Sequence, residues 1–210
     1  VLLYLERWLK APVSMPDGTL VSRERGSPQG SVVSPVLANL FLHYAFDCWM
    51  DREFPDIPFE RYADDAICHC RSEAQALELH QALKQRFAEC LLQLHPQKTR
   101  IVYCKDANRT GTYPVRSFDF LGFTFRPRLA KNRTGKRFVS FIPAVSKTAG
   151  IRMRRSVRRW RLHFRSDLDL EDIAKWVRPV LSGWVRYYGR FYPSKLRDEL
   201  LNGEIFYSLA

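Results

Sequence analysis

The stretch from Glu60 to Cys70 constrains the fold of this chain most, because it sets two adjacent carboxylates in an otherwise apolar, strand-like run. Its sequence is Glu-Arg-Tyr-Ala-Asp-Asp-Ala-Ile-Cys-His-Cys, with Asp64 and Asp65 at the centre. A buried carboxylate is costly unless a basic side chain or a metal ion compensates its charge, and the alternative is a solvent-exposed turn. We predict a strand, a tight turn and a second strand. Adjacent strand residues point to opposite sides, so we expect unequal roles for the two aspartates.

A pair of aspartates at the tip of a hairpin suits a divalent cation, since Mg²⁺ prefers hard oxygen ligands and often binds one or two carboxylates plus substrate phosphates. The alternative interpretation is a polar hairpin turn without a metal. Cys68, His69 and Cys70 also resemble metal ligands, but in a strand the cysteines share one face and the histidine takes the other. We therefore favour cysteines packed in a core over a zinc site.

The charge balance of the chain indicates an anionic partner. Lys and Arg number 34 against 22 Asp and Glu, a formal net charge of +12. Residues 126–161 contain 13 of these basic residues and no acidic one. A solvated surface is the simpler interpretation, but such a one-sided run repels itself without a polyanion. We therefore predict contact with nucleic acid, with an anionic membrane surface as the second choice.

The five cysteines and the longest uncharged run bear on the compartment. The cysteine count is odd and no Cys-x-x-Cys pair occurs, which favours a reducing compartment such as the cytoplasm. The longest uncharged run, Gly26 to Phe46, opens with the polar turn Gly-Ser-Pro-Gln-Gly, and the part from Gly30 to Phe46 is shorter than the roughly 20 residues that a membrane-spanning helix needs. We predict instead a buried amphipathic helix whose apolar stripe is Leu37, Leu40, Phe41, Tyr44, Ala45, Cys48 and Trp49.

Local signals predict further helices. Ser72 and Gln75 form a capping box ahead of an apolar helix. Ser146 is a candidate N-cap of a basic helix whose inner face carries Ile151, Val157, Trp160 and Phe164. Asp169 is a candidate N-cap of another helix, which Pro179 should kink or restart. Short strands are predicted for Arg100 to Cys104, Phe118 to Phe125 and Arg137 to Ile142.

Four short motifs follow one another in a specific order. They are Gly-Ser-Pro-Gln-Gly at 26–30, Tyr-Ala-Asp-Asp at 62–65, Gln-Lys-Thr at 97–99 and Phe-Leu-Gly-Phe at 120–123. This order resembles the palm of a reverse transcriptase. Ser-Pro-Val-Leu-Ala-Asn-Leu-Phe-Leu at 34–42 resembles the group II intron-encoded subfamily. Leu-Ser-Gly-Trp-Val-Arg-Tyr-Tyr at 181–188, after a basic helix, resembles its maturase-specific thumb, or X, domain. The resemblance covers nearly the whole chain from about residue 20.

The resemblance implies an α+β fold. Residues 1–126 would form a partial polymerase palm, an antiparallel sheet with packed helices. Residues 127–145 would be a basic strand and linker, and residues 146–210 a truncated all-α maturase-specific domain. The implied activity is RNA-directed DNA synthesis together with assistance to intron splicing. The implied partners are intron RNA, an RNA template with a DNA primer, and deoxynucleoside triphosphates, with no membrane.

The resemblance also implies roles for single residues. Asp64 would hold the catalytic Mg²⁺ ions, for which Mn²⁺ can substitute, and Asp65 would be a secondary ligand; Lys98 would neutralise or protonate the leaving pyrophosphate. The template and nucleotide pocket would include Pro28, Gln29, Gly30 and Tyr62. Phe120, Leu121 and Gly122 would form the primer grip. RNA would lie along a row of arginines on the basic helix: Arg152, Arg154, Arg155, Arg158 and Arg159.

The chain departs from the family's pattern in one respect. The polymerase needs a third carboxylate on a strand upstream of Gly-Ser-Pro-Gln-Gly, and neither Glu6 nor Asp17 fits that position. We therefore expect a fragment of a longer protein, and we expect the 210 residues alone not to polymerise. The alternatives are a non-catalytic intron-RNA-binding maturase or its decayed remnant and, with less support, another bacterial reverse transcriptase of the retron type.

Overall fold

A computed structural model describes residues 2–22 and 32–201, in which short antiparallel sheets alternate with helices. The chain divides into two units, residues 1–99 and 100–210. This mixture of helices and small antiparallel sheets confirms the predicted α+β class. None of the helices in the described ranges combines the length and the apolar composition required to cross a membrane.

The first unit contains a helical segment, a hairpin and a long helix. Its elements in chain order are α1 (Leu2–Lys10), β1 (Val13–Ser14), β2 (Leu20–Val21), α2 (Ser34–Leu42), a π-helical segment (His43–Asp47), α3 (Cys48–Glu53), β3 (Phe59–Tyr62), β4 (Asp65–Cys68) and α4 (Glu73–Glu89). β1 pairs with β2, and β3 pairs with β4, both antiparallel. The predicted strand, turn and strand around the aspartates are therefore confirmed.

The core of the first unit lies beside the π-helical segment. Phe46, Trp49, Met50, Ile57 and Leu79 are buried together, and Cys68, Cys70, Leu83 and Phe87 pack against them. The predicted capping box of α4 is confirmed, because the Ser72 hydroxyl accepts a hydrogen bond from the backbone N–H of Gln75 at 3.2 Å.

The prediction of a buried helix over residues 30–46 is wrong for α2, in which the structure buries no residue. Leu40, Phe41 and Tyr44 are exposed, by 47–64% of their surface. A π-helix closes i→i+5 hydrogen bonds and so shifts the face that the following residues present. The buried face begins at Ala45 and Phe46 and continues with Trp49 and Met50. The predicted stripe is therefore confirmed at Ala45 and Trp49, whereas it did not include Phe46 and Met50.

The second unit joins a three-stranded antiparallel sheet to three helices. Its elements are β5 (Phe118–Phe120), β6 (Phe123–Lys131), β7 (Arg137–Val145), α5 (Lys147–Trp160), a 3₁₀ turn (Leu162–Phe164), α6 (Leu170–Tyr188) and α7 (Pro193–Leu201). The strand order is β5-β6-β7, and β6 pairs with β7 over their whole length, from Phe123 opposite Val145 to Lys131 opposite Arg137.

Two of the strand predictions fail in this unit. Phe118 to Phe125 is two strands, because Leu121 and Gly122 both take positive φ and turn the chain back. Arg100 to Cys104 forms no strand: Tyr103 donates a single backbone hydrogen bond to Val115, which is too little for a ladder. The strand predicted for Arg137 to Ile142 is confirmed and extends to Val145.

The helix caps of the second unit agree with the sequence. Ser146 accepts from the N–H of Ala149 at 3.1 Å, and Asp169 accepts from the N–H of Asp172 at 2.7 Å. α6 is continuous through Pro179, so the predicted restart does not occur, and the alternative of a kink stays a prediction. Phe164 lies beyond the end of α5 and is 70% exposed, so its predicted place on the inner face is wrong. The buried residues of α5 are Ala149, Gly150, Met153 and Val157.

Candidate catalytic hairpin and nucleic-acid surface

The aspartate pair lies at the exposed tip of the β3–β4 hairpin. Tyr62 pairs with Asp65 across the hairpin, so Ala63 and Asp64 form its two-residue turn. Tyr62, Asp64 and Asp65 are all exposed, and Tyr62 keeps 64% of its surface. Neither carboxylate makes a side-chain hydrogen bond or ion pair with another residue in the described ranges. The turn exposes the two charges to solvent, and no basic side chain within residues 2–22 and 32–201 compensates them.

Arg61, the residue before Tyr62, connects this hairpin to the helical segment. Its Nε and Nη2 donate to the two carboxylate oxygens of Asp47, both at 2.6 Å. Its Nη1 donates to the side-chain oxygen of Asn39 and to the backbone oxygen of Ala63, both at 2.9 Å. The Arg61 side chain is 13% exposed and that of Asp47 is 19% exposed. The largely buried guanidinium thus binds the side chains of Asp47 and Asn39 and the backbone of Ala63.

The charge state of Asp47 follows from this geometry. The hydrogen bonds from Arg61 lower the pKa of Asp47 below its usual value of 3.8; burial opposes this effect, and a weaker contact with His43 at 3.3 Å adds to it. The same hydrogen bonds raise the pKa of Arg61. The pair is therefore fully ionised at neutral pH.

The chemistry of the hairpin tip can be compared with that of a metal site. Two exposed carboxylates are the kind of oxygen ligand that Mg²⁺ prefers. Within the part of the chain that the structure describes, no group of three acidic, histidine or cysteine side chains could hold a metal ion. The pair fits a divalent cation as two of its ligands, with water and phosphate oxygens as the others.

Cys68 and Cys70 lie on the buried side of the hairpin. Both pack against the core of the first unit, and burial raises the pKa of the Cys68 thiol to about 12. His69 lies on the exposed side and contacts the carboxylate of Glu60. The predicted division of these three residues between two faces is confirmed. A thiol that stays protonated at neutral pH is a poor metal ligand and a poor nucleophile.

Two further predicted site segments belong to the first unit. Lys98 is exposed in a turn whose backbone N–H groups at Lys98 and Thr99 bond to the carbonyl of His95. Pro28, Gln29 and Gly30 lie outside the described residues. The roles assigned to all four stay predictions.

In the second unit, Phe120, Leu121 and Gly122 form the end of β5 and the turn into β6. φ is 49° at Leu121 and 80° at Gly122, so both residues adopt left-handed conformations. Tyr187 of α6 donates its hydroxyl to the carbonyl of Leu121 at 2.9 Å. The N–H of Ser146, at the start of α5, donates to the carbonyl of Gly122 at 2.9 Å. The helices therefore hold the backbone of the turn on both sides, while Leu121 stays 40% exposed.

The predicted RNA-contacting arginines share α5, but they differ in surroundings. The side chains at 152, 155, 158 and 159 are exposed. Arg154 is half buried and forms an ion pair with Glu199 of α7, which Lys195 also contacts at 2.8 Å. Burial disfavours ionised Glu199, yet hydrogen bonds from Lys195 and Arg154 outweigh it and lower the pKa of Glu199. Arg154 therefore fastens α5 to α7, and the exposed arginines form the outward basic surface.

Next to this surface lies an aromatic groove of about 450 Å³, lined by Arg159, Trp160, Arg161, Phe164, Arg165 and Trp176. Trp160 stacks on Trp184 with an interplanar angle of 12°, and the guanidinium of Arg165 lies 5.6 Å from the ring centre of Trp176. Trp176 is 45% exposed. Exposed rings among guanidinium groups are the usual means by which proteins stack unpaired bases.

Sequence reasoning missed several residues that hold the candidate sites in place: Asn39, Asp47, Arg61, Tyr187 and Trp176. Arg61 offered a signal, since an arginine three residues before Asp64 needs an acidic partner when it is buried. Nothing in the sequence identified Asp47 as that partner, because a π-helical turn intervenes.

Two family models match the chain. Residues 4–125, more than half of the chain, match the model for reverse transcriptase (RNA-dependent DNA polymerase). Residues 151–205 match the model for the group II intron maturase-specific domain. A search of curated proteins gives no significant match. The second match supports the group II intron subfamily over a retron-type enzyme, and membership implies binding of nucleic acids and nucleotides in general.

The ordered motifs, the exposed aspartate hairpin and the two family matches agree with one another. The two matched segments occur in the order that a reverse transcriptase domain followed by a maturase domain requires. The chain belongs to the reverse transcriptase family, and within it to the group II intron-encoded reverse transcriptase/maturases.

Proposed function

We propose that the full-length gene product copies RNA into DNA at the β3–β4 hairpin, with Mg²⁺ bound by Asp64 and Asp65. The observation that carries the proposal is the exposure of both carboxylates at a hairpin tip, where no basic side chain of the described ranges neutralises them. Two adjacent negative charges repel each other, and a bound divalent cation removes that cost.

The chain's own residues have distinct tasks in this proposal. Asp64 and Asp65 bind the metal through their carboxylate oxygens, and Lys98 places an ammonium group near the leaving phosphates. Leu121 and Gly122 present backbone and side-chain surface to the primer strand. When bound, Mg²⁺ supplies positive charge that stabilises the phosphates during nucleotidyl transfer. The substrates are deoxynucleoside triphosphates on an RNA template with a DNA primer.

The test is primer extension on an RNA template by the purified full-length gene product, with Mg²⁺ and labelled deoxynucleotides. We expect extension by the wild type and a loss of at least about 100-fold with Asp64→Asn, since electrostatic terms of this kind contribute about 10²–10³ to the rate. Asp56→Asn is the matched control, because it neutralises an exposed carboxylate of the same unit away from the hairpin. Equal activity of the wild type and Asp64→Asn contradicts the proposal.

A second candidate function is intron-RNA binding without polymerisation. The observation that favours it is the surface of α5, whose exposed arginines adjoin the aromatic groove. This surface lies in the second unit, the maturase-specific match covers most of it, and it does not require the aspartate hairpin. We propose that this surface binds structured intron RNA, the arginines at the phosphates and the groove at an unpaired base.

RNA binding is tested by the salt dependence of affinity. We compare the wild type with a triple glutamine variant at Arg152, Arg155 and Arg159. If these three side chains contact phosphates, the slope of log K against log salt falls by about 2, at about 0.7 per phosphate for single-stranded RNA. Glutamines at Arg7, Arg52 and Lys84, exposed in the first unit, remove the same net charge elsewhere. If the two triple variants have equal salt slopes, the proposal that this surface binds RNA is contradicted.

A further inference from the structure

All three nitrogens of the Arg61 guanidinium donate hydrogen bonds, and their acceptors lie on three different elements. Two of them bind the carboxylate of Asp47 side by side, a geometry that fixes the plane of the guanidinium. The third reaches Asn39 and the backbone of the hairpin turn. Asn39 in α2 and Asp47 at the end of the π-helical segment both bind this one side chain. The arginine is therefore held from the helical side before it contacts the turn.

The turn that Arg61 contacts has an unusual backbone. Ala63 has a φ of 54°, in the left-handed region that favours glycine and is unfavourable for alanine. Its carbonyl accepts the hydrogen bond from Arg61, and the next residue is Asp64. A residue in such a conformation stays there when its surroundings fix it, and such residues concentrate at functional sites. The contact with Arg61 fixes the peptide plane between Ala63 and Asp64.

We propose that Arg61 is a positioning residue for nucleotidyl transfer: held by Asp47 and Asn39, it fixes the turn at Ala63 and so sets the direction in which Asp64 and Asp65 present their carboxylates. This inference rests on the proposed polymerase function. Arg61 acts through the peptide of Ala63 and touches neither the nucleotide nor the metal. A lysine at this position keeps one positive charge beside Asp47, but a single ammonium cannot reach Asp47, Asn39 and Ala63 in the fork geometry of a guanidinium.

The test compares Arg61→Lys with Arg86→Lys in the full-length gene product. Arg86 is a matched control, because it is also partly buried and donates to backbone oxygens of the same helical segment, at Ala45 and Tyr44, but does not contact the hairpin. For Arg61→Lys we expect kcat for primer extension to fall about 10–100-fold, as for a small misplacement of catalytic groups. The KM for deoxynucleotides and the affinity for template–primer should change less than about threefold, and the Mg²⁺ concentration for half-maximal rate should rise.

A structural measurement accompanies the kinetics. Amide hydrogen exchange followed by mass spectrometry should show faster exchange in the peptide that contains Ala63 to Asp65 in Arg61→Lys, and unchanged exchange there in Arg86→Lys. The proposal is overturned if Arg61→Lys keeps the wild-type kcat and exchange, or if Arg86→Lys lowers kcat as much, since the effect would then follow general stability. A wild-type protein without primer extension overturns the proposed function itself, and this outcome is distinct from an active wild type that tolerates Arg61→Lys.

Discussion

Replacing Gly122 with alanine places a methyl group where the side chain of Tyr188 already lies. A Cβ built at residue 122 comes within 2.8 Å of the Tyr188 hydroxyl oxygen and 3.3 Å of its Cε1. Residue 122 also has a φ of 80°, which alanine adopts only with strain. Tyr188 cannot move freely, since its ring packs on Phe123 and against the core of α5 and α7.

The expected loss of stability combines these two effects. A left-handed backbone costs an L-residue about 1–2 kcal/mol, and inserting a methyl group into a packed region costs about 1–3 kcal/mol. Alanine also restricts the unfolded chain more than glycine does, which offsets the loss by about 0.4–1 kcal/mol. We therefore expect Gly122→Ala to lower the free energy of unfolding of the second unit by about 1–5 kcal/mol.

Urea denaturation followed by circular dichroism measures this change. Gly183→Ala is the matched control, because residue 183 lies inside α6 with nothing within 4 Å of its Cβ position, and there alanine should stabilise by about 0.5–1 kcal/mol. In a double-mutant cycle, Tyr188→Phe removes the atom nearest to the new methyl group and should recover the steric part of the loss. If Gly122→Ala unfolds within about 0.5 kcal/mol of the wild type, the close packing of this turn against α6 is refuted.

Three further predictions address the core, an ion pair and the groove. Met50→Ala should lower the free energy of unfolding of the first unit by about 2–5 kcal/mol, since Met50 is fully buried, whereas Met15→Ala, at a half-exposed site, should have little effect in the same denaturation experiment. Asp47→Asn should lower the free energy of unfolding of the first unit by about 1–3 kcal/mol at pH 7. Because Arg61 lowers the pKa of Asp47 in the folded state, the wild type should lose this advantage as the pH falls below 3.8 and through the folded pKa. The stabilities of the wild type and the variant, measured against pH, should therefore converge in acid. Phe164→Ala should weaken binding of single-stranded RNA about 5–150-fold if a base stacks on this exposed ring. Leu170→Ala, at a position that is even more exposed, should leave the affinity measured by fluorescence anisotropy unchanged.

Much of the fold could be predicted because the deciding signals are local. Ser72, Ser146 and Asp169 each cap the helix that the sequence assigned to them, since a side-chain oxygen needs only the N–H three residues on. The hairpin around Asp64 followed from the apolar residues on both sides of a polar pair. These interactions depend on neighbours within a few positions, and the sequence shows such neighbours directly.

The predictions that were wrong concern backbone geometry that the residue types alone do not determine. Leu121 in a left-handed conformation divides a continuous aromatic strand pattern into a hairpin, although the one suggestive residue is Gly122. Phe164 has the spacing of the inner face, but α5 ends at Trp160 and Arg161 takes a φ of 48°, which turns the chain away. Arg61 in β3 contacts Asp47 at the end of the π-helical segment. This contact could not be predicted, because the π-helical turn changes the direction in which Asp47 points and residue types do not reveal that turn.

The π-helical segment makes this part of the chain sensitive to length as well as to composition. A single π-helical turn holds one residue more than the α-helix on either side, so a deletion of one residue within residues 43–47 can be absorbed by a return to regular α-helix, which leaves Trp49 and Met50 facing the core. A residue inserted there cannot be absorbed in this way, and it would rotate everything after it by about 100°. Trp49 and Met50 would then leave the core. Gene variants with an in-frame insertion in this short segment should therefore lose the fold of the first unit, whereas a single-codon deletion should be tolerated better.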